Sequence, residues 1–107
     1  MNNHNWYKDH LLIYPMTLET YTCEEVLQHL GSHLYQNGYV KESYIKALIE
    51  REKDYPTGLP TKPGVAIPHT DTVHVNKLGL AVAILDKPVQ FYEMGSDKHK
   101  LVDVQIV

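Results

Sequence analysis

Residues 51–71 read REKDYPTGLPTKPGVAIPHTD, and the fold turns on how this stretch is divided. Arg51 and Glu52 close a helical pattern. Residues 54–64 (DYPTGLPTKPG) then hold three prolines and two glycines, which no regular helix or strand accommodates. A shaped loop is predicted there, followed by a short strand over 65–67 that Pro68 stops. The strand delivers His69 at its end, where open α/β sheets place their ligands.

Working back from that stretch, residues 41–53 read as a helix whose buried stripe is Tyr44, Ile45, Leu48 and Ile49. Before it, Thr22 and Glu25 have capping-box spacing, so a first helix is predicted from Cys23. Val26, Leu27, Leu30 and Leu34 form its apolar stripe, and Asn37 with Gly38 supply the residue types that end helices. Leu11 to Tyr14 is a short apolar run before Pro15, readable as a strand or as a packed segment.

Working forward, residues 78–85 (LGLAVAIL) are apolar at successive positions, the pattern of a central strand buried on both faces. A turn at Asp86 to Pro88, a short strand over 89–91 and a polar loop over 92–100 are expected next. Residues 101–107 alternate, with Val102, Val104 and Ile106 on one face and Asp103 and Gln105 on the other. These elements define an α/β (α+β) class, a mixed sheet flanked by helices.

With 107 residues, the chain has room for one small domain. The formal charge of -3 supplies no basic field for nucleic acid or an anionic membrane surface. Cys23 is the single cysteine, so no intrachain disulfide is available and the cytosol is the expected compartment. No stretch approaches the roughly 20 apolar residues of a membrane span.

Chemistry concentrates on His69, because a neutral imidazole can attack phosphorus near neutral pH. Taken alone, a histidine behind a proline is more often structural than nucleophilic. Arg51 lies at the border of the buried stripe, from where its fork could reach phosphoryl oxygens, although complementing the helix dipole would also place it there. Glu52 falls near the centre of the stripe, which requires either a partner or a frayed last turn. His29 and His33 have metal-ligand spacing with Glu25 nearby, but they flank an apolar face and no HExxH pattern occurs, so no metal is expected.

The ordered run RE..YPTGL.....VAIPHTD resembles the active-site region of the enzyme IIA domains of the bacterial phosphoenolpyruvate-dependent sugar phosphotransferase system, fructose/mannitol type. Further likeness lies at Gly38 to Val40, over 47–52, and at Pro88, Val89 and Phe91. The stretch PVQFYEMGSD points to the galactitol-like branch. The resemblance implies the enzyme IIA fold and a phosphotransferase with a phosphohistidine intermediate and no cofactor.

On that likeness His69 takes a phosphoryl group from phospho-HPr and passes it to a cysteine on a sugar-specific IIB component, with the membrane IIC component involved indirectly. The implied site is His69 and Arg51 as catalytic groups, with Thr57, Gly58 and Glu52 around the phosphate. The family carries a second active-site histidine after the strand that begins at Leu101. The expectation is therefore one enzyme IIA-like domain over 1–107 that lacks its C-terminal part. A regulatory domain of the same fold, signalling by phosphorylation to a transcriptional regulator, is the alternative.

Overall fold

A computed structural model describes residues 10–16, 22–95 and 100–107, with residues 14–16 as backbone only. Helix α1 spans Cys23–Gln36 and begins as its capping box predicts. The Glu25 amide donates to Thr22 Oγ1 at 3.1 Å, and the Thr22 amide donates to Glu25 Oε1 at 2.8 Å. At the other end the Gly38 amide donates to the Tyr35 carbonyl and the Tyr39 amide to the Leu34 carbonyl. That pair is a Schellman motif, and Gly38 occupies its left-handed position with φ of 81°.

Helix α2 spans Ser43–Asp54, two residues later at its start than the apolar pattern suggested. It packs beside α1, and Val26, Leu27 and Leu30 of α1 join Leu48 of α2 in the core. Pro56, two residues past the end, cannot continue the helix.

Five strands form one sheet: β1 (Leu11–Met16), β2 (Gly58–Leu59), β3 (Gly64–Ala66), β4 (Leu80–Tyr92) and β5 (Leu101–Ile106). Their spatial order is β1-β4-β5-β3-β2. β1 runs parallel to β4 and β3 parallel to β5, while β4 with β5 and β2 with β3 are antiparallel, so the sheet is mixed as expected. β1 pairs with β4 alone, and this edge position is why Pro15 is tolerated within it.

Three expectations need correction. The predicted loop over 54–64 carries the two-residue strand β2 and the first residue of β3. The turn at Asp86 to Pro88 does not divide two strands, because β4 runs continuously from Leu80 to Tyr92. Pairing with β5 jumps from Ile84↔Ile106 to Val89↔Val104, and Asp86 to Pro88 are absorbed in the irregularity between. Nor is the 78–85 segment buried on both faces. Ala83 and Leu85 lie in the core, whereas Leu80 and Ile84 are about half exposed at 49% and 51%. Successive strand residues point to opposite faces, and the two helices cover only one of them. The middle strand is β5, whose Val102 and Val104 are buried.

The expected polar loop over 92–100 lies partly outside the described residues, as does His99. Among the described residues, no helix is long and apolar enough to cross a membrane.

Candidate active site

β3 ends at Ala66, one residue before the predicted boundary, and the chain turns through Ile67 and Pro68 to His69. His69 is exposed, and its Nδ1 lies 2.9 Å from the Ile67 carbonyl oxygen. A carbonyl can only accept, so this contact places the ring proton on Nδ1 and leaves the Nε2 lone pair available. The ring also borders a cavity of about 220 Å³ that Tyr44, Leu48, Pro68 and Val107 help to line. Burial pushes the Tyr44 phenol above its ordinary range.

Arg51 lies in the last turn of α2 and is half-buried. Its Cζ sits 4.4 Å from the centre of the Tyr55 ring. Among the described residues it makes no salt bridge, and its buried Nε has no hydrogen-bond partner. The guanidinium thus lies over the Tyr55 ring, and among the described residues its N–H groups make no hydrogen bond. Its place at the helix end is also favourable for the dipole.

Glu52 is only 6% exposed, which excludes a frayed, solvated last turn. Its partner is Thr57: the backbone amide donates to Oε2 and the hydroxyl to Oε1, both at 2.8 Å. Burial raises the Glu52 carboxyl above its ordinary range, while the two Thr57 bonds and the charge of His69 act in the opposite direction.

Thr57 has both of its donors on Glu52 and is itself buried. Gly58 pairs with Ala66, and its carbonyl accepts from the Met94 amide at 2.8 Å. A Cβ at Gly58 would lie 2.7 Å from the Tyr92 carbonyl oxygen, so only glycine lets β2 approach β4 this closely. The chain of contacts runs from Glu52 through Thr57 and Gly58 to Ala66, three residues before His69. In this geometry Glu52, Thr57 and Gly58 shape and brace the loop.

Two neighbours escaped the sequence reading: Tyr55, stacked on Arg51, and Tyr44, beside His69. Tyr55 is four residues beyond Arg51, the spacing of helical side-chain neighbours, and that spacing, with its place in the YPTGL run, was the available signal. His74 Nδ1 lies 2.8 Å from Ser43 Oγ at the first residue of α2. Eight residues of helix separate that end from Arg51, about 12 Å along the axis. Among the described residues no three His, Cys, Asp or Glu side chains gather as a metal site.

The fold has solved counterparts among enzyme IIA proteins. In the complex of enzyme IIA-Mtl and phosphorylated enzyme IIB-Mtl from Escherichia coli, the similarity covers 87% of this chain and 67% of that one, at a TM-score of 0.61 and 28% identity. Enzyme IIA is therefore the class that fold and sequence define.

Residues 10–107 match the family described as "Phosphoenolpyruvate-dependent sugar phosphotransferase system, EIIA 2", and the chain belongs to that family. It is 30% identical over 83 residues to the galactitol-specific EIIA component of Escherichia coli K12, a match covering 77% of this chain and 55% of that protein. The transcriptional regulator ManR of Bacillus subtilis 168 is 31% identical over 78 residues, covering 73% of this chain and 11% of the regulator. The chain thus spans about half the length of the galactitol-specific relative.

Proposed function

We propose that the chain is the phosphoryl-accepting part of a phosphocarrier, with Nε2 of His69 as the attacking atom. The observation that carries this reading is the contact between His69 Nδ1 and the Ile67 carbonyl, which leaves Nε2 as the free nitrogen on an exposed ring. The Nε2 lone pair attacks phosphorus in the phosphohistidine of HPr. The donor P–N bond breaks, and its electron pair stays on the donor imidazole. The product ring keeps its Nδ1 proton, and the Ile67 carbonyl stabilises the positive character that phosphorylation gives it.

Arg51 supplies charge-assisted donors to the phosphoryl oxygens, the contribution that matters most where transfer depends on positioning and electrostatics. Glu52, Thr57 and Gly58 hold the adjoining loop. Onward transfer is to a cysteine of a IIB component, with IIC downstream. The galactitol-specific relative supports galactitol as the sugar.

Incubation with phospho-HPr should add roughly 80 Da in an acid-labile linkage, with subsequent loss of that mass to a cysteine of IIB. No labelling, or undiminished labelling of a His69→Ala variant, would end the proposal. The match to ManR favours one second reading, a regulatory domain in which phosphorylation is the signal. Stable phosphorylation without transfer to any IIB protein would select it.

A further inference from the structure

We propose that Tyr55 is a positioning residue for Arg51, holding the guanidinium over its ring so that the terminal N–H donors are left open for a phosphoryl group. The inference rests on the reading of Arg51 as the group that meets phosphoryl oxygens.

Tyr55 is an unusual place for a large ring. It caps the C-terminus of α2 with φ of −135° and ψ of 81°, and its amide donates to the Arg51 carbonyl at 2.8 Å. That bond ties the Tyr55 backbone to the residue on which its side chain stacks. The ring is 61% exposed, so core packing does not account for its position. Its ring instead meets the Arg51 guanidinium, whose Cζ lies 4.4 Å from the ring centre.

Among the described residues Arg51 has no competing anchor. The carboxylate beside it in sequence, Glu52, is occupied by both donors of Thr57. Among the described residues no salt bridge reaches Arg51, and its Nε is buried without an acceptor. A salt bridge would fix the guanidinium by using the same edges that a phosphoryl oxygen needs. An aromatic face does the opposite, attracting the cation through the ring quadrupole and leaving the planar fork of donors open. A long side chain with about 2 kcal/mol of rotamer freedom is thereby partly ordered before the ligand arrives.

The test is single-turnover phosphorylation of the chain by phospho-HPr, comparing wild type with Tyr55→Phe, Tyr55→Leu, Arg51→Met and the Tyr55→Leu/Arg51→Met pair. Tyr55→Phe keeps the ring and should retain the wild-type rate within about twofold, while Tyr55→Leu should lower the limiting rate about threefold to tenfold at unchanged half-saturation. In the Arg51→Met background, Tyr55→Leu should have no further effect, because the interaction it removes is already gone. Thermal melts should be unaltered by Tyr55→Leu, as expected for an exposed ring.

A wild-type rate for Tyr55→Leu, a fully additive loss in the double variant, or an effect confined to half-saturation would overturn the positioning role. Those outcomes leave His69 phosphorylation intact. Failure of the wild-type chain to label at all would instead strike the underlying functional reading.

Discussion

Replacing Glu52 with alanine should destabilise the fold well beyond the loss of one surface charge. The side chain is 6% exposed and accepts two 2.8 Å hydrogen bonds from Thr57, which is itself only 3% exposed. Alanine leaves a buried amide and a buried hydroxyl without their acceptor, each costing about 1 to 3 kcal/mol. A cavity of about 240 Å³ borders Glu52, so water can recover part of this, and a net loss of about 3 kcal/mol is expected.

With unfolding entropy near 2.1 cal/mol/K per residue, a 107-residue chain loses about 13 °C of melting temperature for that change. Glu52→Gln keeps one acceptor and should fall between. Circular-dichroism melts at neutral pH measure the series, and hydrogen exchange at the Thr57 amide reports the bond itself. A drop below about 4 °C for Glu52→Ala, or a Thr57 amide equally protected in the variant, would refute the brace between helix and loop.

Three further outcomes follow from the same contacts. Burial raises the native Glu52 pKa above the ordinary 4.5, so the native state binds that proton more tightly than the unfolded chain. Its contribution is complete below the unfolded pKa and is lost as pH rises through the native value; in melts from about pH 4 to 7 the deficit of Glu52→Gln relative to wild type should therefore narrow, and a constant difference would count against it. Gly58→Ala places a methyl 2.7 Å from the Tyr92 carbonyl oxygen and should cost about 2 kcal/mol or more in urea unfolding, whereas a neutral effect would show that β2 can move aside. Burial, reinforced by Glu52 and Glu24, pushes the Cys23 thiol up to about 12. Alkylation near pH 8 should be about a thousandfold slower in the folded chain than in denaturant, and comparable rates would contradict its burial.

Local chemistry made much of this fold legible. The Thr22 and Glu25 spacing located the start of α1, and Gly38 marked its end, because capping and left-handed backbone are properties of a few adjacent residues. The alternation over 101–107 identified a strand with one buried face. What the sequence could not carry was long-range: that β5 rather than β4 is the middle strand, and that β4 absorbs Asp86 to Pro88 without breaking. Both depend on which strands pair, and an apolar run alone does not record its neighbours.

The site divides in the same way. His69 stood out through its position behind Pro68 and through the ordered motif around it. Glu52 was conspicuous as a carboxylate on an apolar stripe, but its partner Thr57 became evident only once the loop folded back on α2. Tyr55 stood four residues beyond Arg51 and inside the ordered motif, but neither signal gave its side chain a role. Gly58 read as part of a phosphate-pocket motif, and the sequence did not show that its backbone also forms β2, where a side chain would collide with β4.

The central claim is that Nε2 of His69 receives the phosphoryl group while Nδ1 keeps its proton against the Ile67 carbonyl. Nitrogen and phosphorus NMR of the chain after phosphorylation by phospho-HPr tests this directly. The predicted spectrum shows phosphorus bonded to Nε2 of His69 with Nδ1 protonated. Phosphorus on Nδ1, or on any residue other than His69, would contradict the account.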